Sequence, residues 1–261
     1  MDFSLDKMKQ ITDFKLIEKQ DYGRSVWLRF QSEKALPEIA AGQFLQVRID
    51  GSPKTYLRRP ISIHDVNPEN NEISLLVQKV GEGTRHLADT KLGEMVNMVL
   101  PLGNGYTLPD DKDEKVLLVG GGIGIAPLFY LGKMLKNIGL KPVFLLGGKT
   151  QNDLIRLEEY RKIGEVLVTT EDGSLGEKGF VTQHSVWKNE CFDKVYVCGP
   201  KPMMKAVFAV TKENGIWCEV SLENMMACGL GACLCCVEKT VEGNTCVCKE
   251  GPVFNTRRLL W

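Results

Sequence analysis

The chain has 261 residues, and 43% of them are hydrophobic, which is enough for one large or two ordinary globular domains. Its 33 basic and 33 acidic residues balance, so no overall charge favours nucleic acid or an anionic membrane surface. The first ten residues lack an apolar signal-peptide core, and no uncharged apolar run of 18 residues occurs. These features predict a soluble cytoplasmic protein.

The first hundred residues alternate short β-rich runs with turn residues such as Gly23, Pro37 and Gly93. This pattern, with little helix between the runs, predicts a small antiparallel barrel of six strands. One short helix is predicted to start at Thr84, an acceptable N-cap, and to continue through Asp89. The predicted strands are 14–19, 25–31, 43–50, 59–66, 72–80 and 95–100.

Two motifs in the barrel region are suited to binding phosphate. Arg58 and Arg59 precede Pro60-Ile61-Ser62 at the head of a strand, and a guanidinium binds phosphate oxygens through a planar fork of donors. Gly81-Glu82-Gly83-Thr84 offers backbone N–H groups and a hydroxyl at a helix N-terminus. Taken singly, neither motif requires a phosphate ligand. A solvated arginine pair accounts for the first motif at least as well as a phosphate site does, and a plain turn does the same for the second. A dinucleotide pyrophosphate needs two such contacts, and the two motifs together would supply them.

After the charged connector 110–115, the pattern changes to apolar strands that alternate with helices. The buried run 116–119 is followed by a glycine loop, 120–127, and then by an apolar-periodic helix to about Ile138. Repetition of this unit predicts a doubly wound sheet of five parallel strands. The other predicted strands are 142–146, 165–169, 194–198 and 217–221, and the other predicted helices are 152–163, 181–187 and 200–214.

The glycine loop is typical of a pyrophosphate site, because bare backbone can approach the ligand at a positive helix N-terminus. Pro127 stands where the usual dehydrogenase fingerprint has its third glycine, and a first helical turn tolerates proline. No acidic residue follows the second strand at the expected place, where Gly147-Gly148-Lys149 stands instead. Cys198-Gly199-Pro200 stands at the carboxyl end of the fourth predicted strand, where ligands of open α/β sheets bind. A buried thiol followed by a proline that starts a helix would account for this segment equally well.

The segment 228–248 carries the strongest motif. Cys228, Cys233 and Cys236 have C-x4-C-x2-C spacing, which is the plant-type arrangement for a 2Fe–2S cluster. The glycines at 229 and 231 allow the backbone to turn tightly and to approach inorganic sulfur. The spacing leaves the fourth ligand open among three further cysteines, Cys235, Cys246 and Cys248.

A zinc site or a disulfide framework would account for these cysteines less well. A structural zinc site normally has two separated C-x2-C pairs, and only Cys233 and Cys236 form such a pair. A disulfide framework is disfavoured because nine cysteines is an odd number in a chain with no export signal.

In this order, the motifs RRPIS, GEGT, GGGIGIAP and CGP resemble those of the ferredoxin–NADP reductase superfamily. The resemblance implies that the first two hold FAD, that the glycine loop holds the pyrophosphate of NAD(P), and that the Cys-Gly pair lies by the nicotinamide. The implied cofactor-binding residues are Arg59, Pro60, Ile61, Ser62, Leu76, Val77, Gln78, Gly83, Thr84, Gly120, Gly121, Gly122, Gly124, Pro127, Cys198 and Gly199.

The C-terminal segments 221–229 and 248–254 narrow the resemblance to the electron-transfer subunits of NAD-linked, class B dihydroorotate dehydrogenases. The resemblance covers nearly the whole chain. It implies an FAD-binding barrel at 1–107, an NAD-binding α/β domain at 108–222 and a 2Fe–2S module at 223–261. It also places the fourth ligand three residues before Gly251-Pro252-Val253-Phe254, so the implied ligands are Cys228, Cys233, Cys236 and Cys248.

The resemblance further implies a function in de novo pyrimidine (UMP) biosynthesis. Electrons would pass from the FMN of a catalytic dihydroorotate dehydrogenase subunit through the cluster and FAD to NAD, in a heterotetramer of two chains of each kind. FAD would convert single-electron transfer into hydride transfer, so no catalytic side chain is expected. Consistent with this, neither His64 nor His86 has a second ligand or a carboxylate at suitable spacing.

Two alternatives remain open. The chain could be a stand-alone NAD(P)H-dependent flavin reductase that serves a ferredoxin-like carrier or another enzyme. It could instead be a zinc-stabilised regulatory module derived from a reductase. A yellow-brown colour with flavin and iron in the purified protein would argue against the second alternative.

Overall fold

The computed structural model describes residues 9–261, and residues 1–8 of the predicted first domain lie outside this range. Six antiparallel strands form a closed barrel, which confirms the predicted architecture. The strands are β1 (Gln10–Asp21), β2 (Ser25–Gln31), β3 (Phe44–Val47), β4 (Arg59–Asn67), β5 (Glu72–Gln78) and β6 (Met95–Leu102). Their order around the barrel is β1-β2-β5-β4-β3-β6.

Alternation along the strands fills the barrel. In β1, Phe14 and Leu16 are buried whereas Asp13 and Lys15 are exposed, as expected for a strand with one face on a core. Apolar side chains from all six strands meet in this core. The barrel therefore has its own hydrophobic core, which is separate from the core of the following sheet. Strand β3 is shorter than the predicted strand 43–50.

The short helix of the barrel domain, α1 (Glu82–Asp89), begins two residues before the predicted start. Its N-cap is Gly81, and Thr84 is the third residue of the helix. The Thr84 hydroxyl accepts a hydrogen bond of 3.1 Å from the Gly81 backbone N–H. The prediction of Thr84 as N-cap was therefore wrong, because its hydroxyl caps the first turn from inside the helix.

The second half of the chain forms a seven-stranded sheet with helices. The elements are β7 (Val116–Gly121), α2 (Ala126–Asn137), β8 (Val143–Gly148), α3 (Leu157–Arg161), β9 (Glu165–Thr170), β10 (Glu177–Lys178), α4 (Val186–Asn189), β11 (Lys194–Cys198), α5 (Lys201–Glu213) and β12 (Trp217–Ser221). The C-terminal elements are β13 (Val237–Thr240), β14 (Gly243–Cys246), α6 (Val247–Glu250) and β15 (Val253–Asn255).

The sheet order is β10-β9-β8-β7-β11-β12-β15. The five predicted strands β7, β8, β9, β11 and β12 are parallel, which confirms the doubly wound architecture. Strand β10 extends one edge, and β15 pairs antiparallel with β12 at the other. Strands β13 and β14 form a separate hairpin. Because β15 belongs to the sheet, the predicted cluster module is joined to the second domain by main-chain hydrogen bonds.

Two predicted helices are much shorter than expected. In place of a helix over 152–163, a 3-10 turn covers Gln151–Asp153 and α3 begins only at Leu157. Arg156 separates them with a left-handed backbone (φ 62°), which a continuous α-helix cannot contain. The predicted helix 181–187 is a 3-10 turn followed by the single turn α4.

His64 packs at the interface between the barrel and the sheet. It is fully buried, its Nδ1 lies 2.9 Å from the Ala126 carbonyl oxygen, and its ring stacks on Phe129 at 4.6 Å between centroids. Burial lowers the pKa of His64 to about 3, so the ring is neutral. Nearby, Lys133 pairs with Asp65 at 2.6 Å. These contacts fix α2, and with it the glycine loop, against the barrel.

Within residues 9–261, none of the helices combines the length and the apolar character needed to cross a lipid bilayer.

Candidate functional site

The two phosphate-binding motifs of the barrel lie in contact. A Cβ atom placed on Gly83 would lie 2.8 Å from Nε of Arg59 and 3.0 Å from Cγ2 of Thr55. The Arg59 side chain therefore lies directly over the first turn of α1, and a larger residue at position 83 would require it to shift. Two motifs that are separate in the sequence thus form one surface with a guanidinium beside a helix N-terminus.

The structure separates the roles of the two adjacent arginines. Arg58 donates to the side-chain oxygen of Asn97 at 2.5 Å and to its backbone oxygen at 3.2 Å, which ties β4 to β6. Arg59 donates only to backbone oxygens next to it, such as that of Leu57 at 3.1 Å. Among the described residues, Arg59 forms no ion pair with a carboxylate. Its charge is therefore available for an anionic ligand.

The other predicted flavin residues lie on β4 and β5, which neighbour each other in the barrel. Gln78 is exposed and Leu76 is buried against the sheet domain, whereas the Val77 side chain points into the barrel core. Any contact of Val77 with a ligand on this face is therefore through its backbone. Pro60, Ile61 and Ser62 are partly exposed on β4, so they remain accessible.

The glycine loop and the Cys-Gly-Pro segment pack against each other at the carboxyl ends of two neighbouring strands. Gly120 in β7 pairs with Cys198 in β11. A Cβ on Gly124 would lie 2.5 Å from the Cys198 carbonyl oxygen and 2.6 Å from the Gly199 Cα. The strand order reverses between β7 and β11, and ligands of doubly wound sheets bind at this point.

Burial raises the pKa of the Cys198 thiol well above its usual range, so this side chain is neutral at physiological pH. The thiol is 1% exposed, and the predicted nucleotide loop begins next to it. Pro127 lies in the first turn of α2, as predicted, where a missing N–H costs no helical hydrogen bond.

A small cleft of about 30 Å³ lies between the barrel and the glycine loop. Tyr22, Arg24 and Gln78 line it from the barrel, and Gly122 and Ile123 line it from the loop. Gln78 of the predicted flavin residues and Gly122 of the predicted nucleotide loop thus line the same cleft. This arrangement is required if a flavin and a nicotinamide are to exchange a hydride.

Asp153 is a residue of this cleft that the sequence motifs did not indicate as part of the site. Its carboxylate accepts hydrogen bonds from the backbone N–H groups of Lys149 and Thr150 at 3.1 and 3.0 Å. Asp153 lies in the 3-10 turn that follows β8, and its carboxylate holds the backbone just after that strand. The spacing Thr150-x-x-Asp153, a capping box, was the signal available in the sequence.

The predicted cluster ligands meet in one loop region. The Cys228 sulfur accepts from the Leu230 N–H at 3.3 Å, the Cys248 sulfur from the Gly231 N–H at 3.1 Å, and the Cys236 sulfur from the Cys248 N–H at 3.3 Å. The chain turns at residues 229 and 231 with φ of +69° and +84°, which confirms the predicted use of glycine there.

The three other cysteines of the region differ in environment. Cys233, a predicted ligand, is exposed at the surface of the loop. Cys235 is also exposed, and Cys246 is half-buried with its sulfur 3.8 Å from the Gly231 carbonyl oxygen. Cys246 ends β14, whereas Cys248 lies in α6.

The donor set fits an iron–sulfur cluster. Backbone N–H groups directed at sulfur stabilise thiolates, and hydrogen bonds, chiefly that from Leu230, lower the pKa of Cys228 to about 6. Burial and the neighbouring Cys236 raise the pKa of Cys248 to about 12, so a metal ion must displace the proton of the Cys248 thiol when it binds. Within residues 9–261, no three His, Cys, Asp or Glu side chains surround a single metal-ion position. A 2Fe–2S cluster needs none, because its four thiolates are divided between two irons.

The end of the cysteine region is fixed to the barrel. The Asn104 side-chain amide donates to the carbonyl oxygens of Lys249 and Glu250, both at 3.1 Å, and its backbone N–H donates to Gly251 at 2.6 Å. A Cβ on Gly103 would lie 2.5 Å from the Gly251 carbonyl oxygen, so the two segments touch through backbone. These contacts hold segment 249–251, next to Cys248, against the end of the barrel.

A flavin-type barrel, a nucleotide-type sheet and a cysteine loop in contact with both define a modular flavin- and NAD-dependent iron–sulfur oxidoreductase. Known proteins agree with this class. Residues 223–260 match the iron-sulfur cluster binding domain of dihydroorotate dehydrogenase B, and residues 118–208 match the oxidoreductase NAD-binding domain.

The dihydroorotate dehydrogenase B (NAD(+)) electron transfer subunit of Fusobacterium nucleatum is 40% identical over 245 residues, which cover 91% of this chain and 92% of that protein. The subunit of the same name from Shouchella clausii is 42% identical over 218 residues, which cover 82% and 83% of the two chains. The chain belongs to the family of dihydroorotate dehydrogenase B (NAD(+)) electron transfer subunits.

Solved structures show the same fold. The structure of an NADH-dependent reduced ferredoxin–NADP oxidoreductase, described for flavin-based electron bifurcation, has a TM-score of 0.86 and 30% identity, and the match covers 95% of this chain and 90% of that one. A cytochrome P450 reductase from Amycolatopsis has a TM-score of 0.69 at 21% identity, with coverage of 80% and 69%. The chain therefore carries an iron–sulfur cluster binding domain and an NAD-binding domain.

Proposed function

We propose that this chain passes electrons from the FMN of a dihydroorotate dehydrogenase catalytic subunit, through the 2Fe–2S cluster and FAD, to NAD in de novo UMP synthesis. The observation that carries this proposal is the continuity of the three sites. The flavin surface opens onto the nucleotide loop at Gln78 and Gly122, and the cysteine loop touches the barrel strand next to β4 at Gly229. FAD supplies the exchange between single electrons and a hydride.

The side chains of this chain bind and position the cofactors and perform no proton chemistry in this proposal. Arg59 and the N-terminus of α1 neutralise the FAD pyrophosphate. The glycine loop and the N-terminus of α2 bind the NAD pyrophosphate, and the neutral Cys198 and Gly199 line the nicotinamide position. Cys228, Cys233, Cys236 and Cys248 ligate the cluster.

The surface around the cluster loop supports a protein partner there. Met225, Leu230 and Leu234 are 83%, 49% and 64% exposed, beside the exposed Cys233 and Cys235. Exposed apolar side chains grouped on one loop are typical of a contact surface. The proposed occupant is the catalytic subunit, in a heterotetramer with two chains of each kind.

Arg59→Ala is expected to weaken FAD retention by about tenfold or more, because a charge-assisted contact with phosphate contributes roughly 1.5–3 kcal/mol. The measurement is FAD content after gel filtration, together with the dissociation constant from flavin fluorescence. Arg48→Ala is the matched control, since the Arg48 guanidinium pairs with Asp50 at the protein surface. Full FAD occupancy in Arg59→Ala after gel filtration would remove Arg59 from the flavin site.

The isolated chain is expected to oxidise NADH with an artificial dye and to leave dihydroorotate unchanged, because no side chain of its site is placed to remove a proton from a substrate carbon. Addition of the catalytic subunit should produce dihydroorotate-dependent reduction of NAD. Light scattering of the resulting complex should give the mass of two chains of each kind. Orotate formation by the isolated chain would contradict the proposal. Dye reduction without any binding to the catalytic subunit would favour a stand-alone reductase instead.

A further inference from the structure

Gln46 in β3 has a buried side-chain amide without a partner. The residue is 1% exposed, and neither its side-chain nitrogen nor its side-chain oxygen has a hydrogen-bond partner among the described residues. Gln43, three residues earlier, is equally buried, but its oxygen accepts from the Ala40 N–H and its nitrogen donates to the Gly103 oxygen, both at 2.7 Å. Burial in this part of the barrel is therefore compatible with a fully paired amide.

The unpaired amide lies against the cysteine loop. A Cβ placed on Gly229, the residue after Cys228, would lie 2.7 Å from the Gln46 side-chain nitrogen and 3.0 Å from its Cγ. On the barrel side, Gln46 pairs with Pro60 of β4, within the proposed flavin-binding stretch. Gln46 therefore lies where the barrel strand that neighbours the flavin site meets the loop that holds the cluster.

A buried amide that has lost its water partners is unfavourable unless something else pairs with it. Within the described residues, no side chain or backbone group provides that partner. Gly229 follows the implied ligand Cys228, so a cluster held by this loop would bring sulfur atoms, which accept hydrogen bonds, close to the amide. Because both ends of the amide are free, its NH2 group can turn towards a sulfur without breaking an existing contact.

We propose that Gln46 is a positioning residue for electron transfer, whose amide donates a hydrogen bond to a sulfur atom held by the Cys228 loop. Reduction adds negative charge to the cluster sulfurs, so such a donor stabilises the reduced form and raises the reduction potential. Gln46 would thereby favour delivery of electrons to the cluster from the partner subunit. This inference rests on the proposed function in one respect, namely that the loop after Cys228 holds the cluster.

The test is Gln46→Met in the cofactor-loaded full-length chain, because methionine keeps the length of the side chain and removes the donor. Iron and FAD contents should equal those of the wild type. The midpoint potential of the cluster, from a reductive titration followed by electron paramagnetic resonance, should fall by about 59 mV, the equivalent of a tenfold change in the one-electron equilibrium constant. The flavin potential should stay unchanged.

Gln43→Met is the matched control. It breaks two hydrogen bonds and should lower the melting temperature, but it should leave the cluster potential at the wild-type value. A wild-type potential in Gln46→Met, or an equal shift in Gln43→Met, would overturn the inference. If Gln46→Met does not retain iron, Gln46→Asn applies the same test, because the shorter side chain moves the amide away from the loop. A wild-type cluster potential in Gln46→Asn would also overturn the inference.

Failure of the underlying ligand assignment is detected separately. Cys228→Ser should lose iron, and an intact cluster in that variant would remove the loop from the ligand set. An unshifted potential in Gln46→Met, with iron lost in Cys228→Ser, would overturn only the role of Gln46.

Discussion

Cys248→Ser is expected to lose the 2Fe–2S cluster, whereas Cys246→Ser and Cys235→Ser keep it. Iron in such clusters prefers soft thiolate ligands, and a serine oxygen is a poor substitute. Cys248 is 3% exposed and lies in α6, whose carbonyl groups are held by the side chain of Asn104. Its backbone also donates to the sulfur of Cys236, so the two thiols are fixed relative to each other.

The measurement is the iron content of the purified variants, with their visible absorbance and the paramagnetic signal of the reduced cluster. Cys246→Ser is the demanding control, because both Cys246 and Cys248 approach Gly231. Cys235→Ser controls for loss of any thiol in the loop, since Cys235 is exposed and makes no hydrogen bond within residues 9–261. Retention of the cluster in Cys248→Ser together with its loss in Cys246→Ser would show that the fourth ligand is Cys246.

The main elements of the fold follow from local sequence patterns. Short β-rich runs between turn residues predict the barrel strands, and the apolar run 116–119 before glycines predicts the first strand of the parallel sheet. Helix lengths were less predictable, because a single left-handed residue, Arg156, interrupts a pattern that otherwise suits a helix. The antiparallel edge strand β15 was not predicted, since three residues carry too little periodicity.

The candidate site was predictable where its residues are contiguous and unpredictable where they come together through the fold. The cysteine spacing and the glycine loop lie within single segments, so their chemistry is visible in the sequence. The contacts of Gln46 with Gly229 and of Asn104 with Lys249 and Glu250 join residues that lie far apart in the chain. No local signal distinguishes Gln46 from Gln43, although their amides have opposite hydrogen-bonding states in the structure.

Gly124→Ala is expected to impair the use of NADH strongly while FAD and iron are retained. The added methyl would lie 2.5 Å from the Cys198 carbonyl oxygen and 2.6 Å from the Gly199 Cα. Both are backbone atoms that cannot rotate away, so the glycine loop and the Cys198 segment must separate. Overpacking of this kind costs about 1–3 kcal/mol of folding stability. A displacement near 1 Å between groups that orient a substrate lowers turnover by on the order of 100-fold.

The measurement is dye-linked NADH oxidation, with KM and kcat determined separately, alongside the melting temperature and the FAD and iron contents. Gly215→Ala is the control matched for stability. Gly215 has a φ of +68° with nothing within 4 Å of an added Cβ, so alanine there adds only backbone strain of roughly 1–2 kcal/mol. Gly215 precedes β12 at the amino ends of the strands, whereas Cys198 lies at the carboxyl end of β11, so NADH oxidation by Gly215→Ala should be unchanged. Equal NADH kinetics in the two variants would mean that the contact between the glycine loop and Cys198-Gly199 serves stability alone and does not shape the nucleotide site.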